Sequence, residues 1–132
     1  MLENISRLSV AAFMAIPLLL GTGCNKSASS ADEVIAPEAK KEAEDIFSTR
    51  CMTCHGPQGH GDGPASAGLT PKPRNFSDQT WQTAVTNAHI ENIIQYGGVA
   101  VGKSPAMPPN PDLVAKPAVV KALRAHVRNL GK

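Results

Sequence analysis

The chain has 132 residues, 42% of them hydrophobic and 18% charged, with a formal net charge of +2. That length suits one domain rather than two, and so weak a charge, with no basic run interleaved with aromatics, excludes a nucleic-acid surface. With one Trp, one Tyr and three Phe, side chains alone would build a thin core, which leaves its centre open to a large apolar group.

Residues 1–23 read as an export signal. Arg7 and the terminal amine make the positive end, an apolar stretch runs over residues 9–20, and Gly21, Thr22 and Gly23 lead into Cys24. The stretch is too short for a permanent bilayer span and is interrupted by Pro17. It also lacks the polar face of a buried amphipathic helix. Leu20-Gly21-Thr22-Gly23-Cys24 resembles a bacterial lipoprotein cleavage site, after which Cys24 is acylated and becomes the new N-terminus. Gly21 stands where that pattern usually has Leu, Val or Ile. Ordinary cleavage around residues 27–31, which would discard Cys24, is the alternative.

Residues 24–36, rich in Ser and Ala and without an apolar period, form a flexible linker, and a compact domain spans residues 37–132. Pro37 suits the first turn of a helix, and Glu38, Glu42, Glu44 and Asp45 favour its N-terminal part. Ala39, Ala43, Ile46, Phe47 and Arg50 recur at three- and four-residue steps and carry that helix into the Cys pair. Residues 56–79 hold most of the Gly and Pro and read as an irregular wrap. Asp78 caps a short helix bearing Trp81. Thr86 caps another, with Ile90, Ile93 and Ile94 on one face and Gly97 as its stop. After a second Pro-rich loop, Pro117 opens a last helix with Val120, Leu123, Val127 and Leu130 inward, ended by Gly131. No strand pattern and no repeat is present. The expected fold is all-α with long loops wrapped around a cofactor.

Cys51-Met52-Thr53-Cys54-His55 carries the chemistry. On a helix, positions i, i+3 and i+4 share a face, so two thiols and an imidazole meet one side of a flat ligand. The thiols can add to two vinyl groups while His55 reaches the iron, which is the spacing of c-type haem attachment. A redox-active Cys pair would sit at a helix N-terminus, whereas this one lies at a C-terminal end. A structural zinc site needs a second pair that the chain lacks. For the sixth ligand, Met52 lies between the attachment cysteines, and Met107 stands in Ser104-Pro105-Ala106-Met107-Pro108-Pro109, where flanking prolines restrict the backbone. An apolar Met in a surface loop is the alternative. His60 is only five residues past His55, His89 is expected on the solvent side of its helix, and His126 lies beside Leu123 and Val127. All three read as surface or packing residues, so Met107 is the expected ligand. Six-coordinate iron leaves no position for substrate.

With these residues in view, the chain resembles the small monohaem class I bacterial cytochromes c over roughly residues 40–131. The likeness rests on Phe47 ahead of the Cys51–His55 motif, Gly61-Asp62-Gly63-Pro64, Pro71-Lys72-Pro73-Arg74-Asn75-Phe76, the Met107 loop and the ending Val127-Arg128-Asn129-Leu130. It implies three to five helices around one covalent haem, with the first and last helices crossing. It also implies that the Pro64 carbonyl accepts the His55 Nδ1–H, and that Arg74 and Trp81 are candidates to bond the haem propionates. The alternatives for the last two are a solvated Arg and a core Trp. That family usually offers Tyr or Phe where this chain has His126.

Charge divides along the mature chain. Residues 24–45 hold three Lys against six Asp/Glu, a net −3, and residues 46–132 hold nine Lys/Arg against four Asp/Glu, a net +5. Lys72, Arg74 and Lys103 are expected at the haem edge, where they would steer an acidic redox partner or simply be solvated. The expected function is a one-electron carrier on the periplasmic side, lipid-anchored to a bacterial membrane and not an enzyme. A haem c subunit of a larger oxidoreductase, and a haem enzyme or sensor with an open sixth position, are the alternatives.

Overall fold

The computed structural model describes residues 34–132, so the export signal, Cys24 and most of the linker lie outside the described residues. Among the described residues there is no strand, and no helix is long and apolar enough to cross a membrane.

Helix α1 (Pro37–Ile46) starts where Pro37 has no N–H to leave unpaired, with Glu38 in its first turn. It does not stop at Ile46. A π turn over Phe47–Cys51 carries it into α2 (Met52–His55), which ends at Gly56 with φ 78°. The expected passage of the first helix into the Cys pair is therefore borne out, with one wide turn inserted. Helix α3 (Gln79–Ala84) is capped by Asp78, whose carboxylate accepts the Trp81 N–H, and α4 (Asn87–Tyr96) is capped by the Thr86 hydroxyl. Helix α5 (Pro117–Asn129) again opens on proline. Because α1 and α2 are continuous, the domain has four separate helices, within the three to five expected.

The core is a seam between α1 and α5, closed by α4. Ala39, Ala43, Ile46 and Phe47 face Val119, Val120, Ala122, Leu123 and Val127, and Phe76, Ile90, Ile94 and Leu113 complete it. Small residues on α1 let the two terminal helices approach closely. The aromatic contact at their meeting point survives the departure at position 126: the Phe47 and His126 rings lie 4.2 Å apart, tilted by 47°. Ion pairs join the rims, Lys116 to Glu42 at 2.6 Å and Arg124 to Glu91 at 3.2 Å.

The two long loops hang from this scaffold. In the first, Gly61 N–H bonds the His55 carbonyl and Phe76 N–H bonds the Gly59 carbonyl, which folds residues 56–76 back under α2. Gly59 (φ 69°) is required there, since a Cβ would lie 2.8 Å from the Phe76 ring and 2.9 Å from Leu130. In the second, Gly97 (φ 76°) ends α4, and a Cβ on it would meet Pro109 N at 2.8 Å and the Met107 carbonyl at 2.9 Å. Those two glycines set how closely each loop approaches the scaffold.

Candidate haem site

A cavity of ≈ 890 Å³ opens between α2, α4 and the two loops. Cys51, Cys54 and His55 stand on its wall, as do Met107, Arg74 and Trp81. Much of the rest is apolar, from Ile90, Ile93 and Ile94. Six of the seven residues expected to touch the cofactor thus face one space.

The exception is Pro64. His55 Nδ1 lies 3.2 Å from the backbone carbonyl of Arg74, which accepts its N–H, so Arg74 and not Pro64 provides the acceptor. The reason is the path of the loop. Gly63 N–H bonds the Cys54 carbonyl, so the chain at Pro64 follows the backbone of α2, and Pro64 is itself exposed at the start of a 3₁₀ turn (Pro64–Ser66). Residues 73–76 then return against the 59–61 turn, where the imidazole is. The bond has the effect the Pro64 reading required. It fixes the ring and the tautomer, and it leaves Nε2 as the lone-pair donor.

His55 is 8% exposed. Burial pushes its pKa down, only partly opposed by the Arg74 carbonyl, so the ring is neutral and able to bind a metal. Phe76 lies parallel to it with centroids 4.4 Å apart and planes 16° apart, and Trp81 packs on the other part of Phe76 at 5.6 Å. Two aromatic side chains, Phe76 and then Trp81, therefore stack behind the imidazole. Gln82 holds the stack in place, since its Nε2 donates to the carbonyls of Phe76 and Val127 and ties the loop at Phe76 to α5. Phe76 was visible in the sequence only as part of a family-like run. Its place in a loop poor in other apolar residues was the available signal.

Burial pushes the Cys51 thiol up to about 11, against the small opposing pull of Arg50. It is a neutral thiol at neutral pH, unlike the acidic thiol of a redox-active pair. Among the described residues no cluster of three or more His, Cys, Asp or Glu could hold a metal. A neutral thiol fits a pair used for covalent attachment.

Met107 is half-buried on the cavity wall, and its carbonyl accepts Gly98 N–H at 2.9 Å. His89, expected on the solvent side of α4, is instead half-buried and lines the cavity, because the cavity is wider than the Ile face. His60 is exposed, as expected. Lys72 and Lys103 border the cavity with Arg74. The Lys72 ammonium is pinned by the carbonyls of Ser66 and Ala67 at 2.7 and 3.0 Å, and Arg74 pairs with Asp78 at 3.6 Å while lying 5.8 Å from the Trp81 ring centre. The guanidinium is half-exposed at the rim of the cavity.

A helical shell around an apolar slot, with two thiols and a neutral imidazole at the end of one helix and a thioether in a loop on the same slot, is the architecture of a domain that holds a flat metal-bearing cofactor. A family model of cytochrome c matches residues 41–131, and the chain belongs to the cytochrome c family. Its cofactor is covalently bound haem c. Among known proteins it is similar to the "Cbb3-type cytochrome c oxidase subunit FixP" of Azorhizobium caulinodans, 34% identical over 106 residues, which is 80% of this chain and 32% of the relative. The chain thus spans about a third of the length of that relative.

Proposed function

We propose that this protein is an exported one-electron carrier whose haem is attached through Cys51 and Cys54, with the iron held between His55 and Met107. The observation that carries the reading is that one cavity has a neutral, oriented imidazole and a thioether on its walls. Bound there, the haem supplies a one-electron Fe(III)/Fe(II) couple. The protein's own residues do the rest. The Arg74 carbonyl orients His55, the Phe76 ring supports it, and the apolar walls exclude water. Arg74 and Trp81 at the rim are placed for the propionates. A thioether opposite an imidazole donates weakly and favours Fe(II), which raises the potential above that of a bis-imidazole haem. With His55 and Met107 both holding the iron, no position would remain for a substrate, and the protein would carry electrons rather than act as an enzyme.

The export signal over residues 1–23 and the Cys24 motif support a periplasmic domain lipid-anchored to a bacterial membrane by residues 24–36. The rim cations Lys72, Arg74 and Lys103 support docking on an acidic redox partner. A second reading, a haem c subunit of a larger oxidoreductase, is supported by the similarity to an oxidase subunit. Carbon monoxide added to the reduced protein tests the closed iron. A carrier leaves its spectrum unchanged, and rapid adduct formation would put an enzyme or sensor ahead. Cys24→Ala tests the anchor, since release of the protein from the membrane fraction is expected, and retention would contradict it.

A further inference from the structure

We propose that Arg50, acting through Asp112 and Asn110, is a positioning residue that latches the Met107 loop across the mouth of the haem cavity. The inference rests on the reading of Met107 as the iron ligand. Arg50 occupies the π turn immediately before Cys51 and lines the cavity beside it. Its Nη1 donates to both carboxylate oxygens of Asp112, at 2.9 and 3.0 Å, and lies 3.4 Å from Asn110 Oδ1. These acceptors begin three residues after Met107.

The rest of that loop hangs from α4. Asn110 N–H donates to the Gln95 carbonyl at 2.9 Å and Asn110 Nδ2 to the Ile94 carbonyl at 2.8 Å, two of the carbonyls that a helix end leaves without a partner. Within the loop, Gly98 N–H donates to the Met107 carbonyl and closes residues 98–107 on themselves. Residues 98–110 thus continue from α4 at one end and are hydrogen-bonded back to it at the other, and α4 carries neither Cys nor His55. Arg50 fastens this hanging piece to the helix that does, over a separation of 62 residues. The spacing between the two axial walls is therefore set partly by a charge-assisted contact. Arg50 and Asp112 are 46% and 44% exposed, so water competes for the contact and it opens at low cost. When it opens, Met107 is free to withdraw and the iron accepts an external ligand.

The test uses the oxidised holoprotein as wild type, Arg50→Gln, Asp112→Asn, the double variant and Arg50→Lys. Imidazole is titrated against the weak long-wavelength sulfur-to-iron band, with the denaturation midpoint measured in parallel. Each single change should tighten apparent imidazole binding roughly three- to fivefold, which corresponds to a surface ion pair. The double variant should bind no tighter than the singles, Arg50→Lys should fall between, and salt near 1 M should move wild type the same way. Singles that bind as wild type does overturn the latch, as does a lowered denaturation midpoint with unchanged imidazole affinity. A wild type with no sulfur band would overturn the ligand reading itself, which separates the two failures. Asp112→Asn keeps the test available if Arg50→Gln does not fold.

Discussion

On the His55 wall the imidazole is held by a helix, a backbone carbonyl and a stack of aromatic rings. On the Met107 wall the side chain projects from a proline-flanked loop that follows α4, is hydrogen-bonded back to it through Asn110, and is fastened across the gap by one exposed ion pair. The first wall is a packed, buried structure in which every neighbour constrains the ring. The second is stiff in itself, through Pro105, Pro108 and Pro109, yet joined to the rest at few points. A domain built this way keeps one ligand permanently in place and makes the opposite side the one that yields. Changes on the His55 wall should therefore cost folding or cofactor, and changes on the Met107 wall should alter iron chemistry in a protein that remains folded.

The largest expected effect lies on the first wall. Cys51→Ser with Cys54→Ser should abolish covalent retention, so that acidic organic solvent extracts all the colour from the variant and none from wild type. Colour that stays with the variant would contradict attachment through this pair. Phe76→Ala removes the ring behind His55 and a buried part of the core, a loss of about 3–5 kcal/mol. Equilibrium denaturation of the holoprotein checks it, and a loss below about 1 kcal/mol would mean that Phe76 is not what supports the imidazole.

The smallest effect lies away from both walls, where α1 meets α5. His126 Nε2 is buried without a hydrogen-bond partner among the described residues. Burial pushes the His126 pKa down, opposed in part by Glu44. A base whose folded pKa lies below its unfolded value binds protons more readily unfolded, so its share of stability is complete above the unfolded pKa, near 6.5. It is lost as pH falls below that value toward the folded one. Denaturation midpoints of wild type and His126→Phe should therefore diverge as pH drops from about 7 to about 5, with wild type losing more. Parallel curves would assign no pH sensitivity to this contact.

The sequence and structure agree most closely where local chemistry decides. Pro37, Asp78, Thr86 and Pro117 mark helix starts because each acts on backbone groups within one turn of itself. The spacing of Cys51, Cys54 and His55 is likewise a local property of a helix. Agreement fails where a long loop chooses its path. Every residue of the 56–78 loop has a carbonyl, and which one meets His55 depends on the return of the chain against Gly59 and Gly61, so Arg74 takes the part expected of Pro64. His89 was misplaced because the Ile pattern marks the centre of an apolar face and not the width of a cavity. Arg50 was counted with the apolar face of α1. Its pairing with Asp112 joins residues too far apart in sequence for any periodicity to connect them.

The most direct test of the central claim is the absorption spectrum of the oxidised protein, wild type beside Met107→Ala, both expressed with haem-maturation machinery. The wild type is expected to be low-spin with the long-wavelength sulfur-to-iron band. The variant is expected to fold, keep its covalent haem, lack the band and take up imidazole at least about tenfold more tightly. A wild type without the band, or a variant that retains it, would contradict the pairing of His55 with Met107 across this cavity.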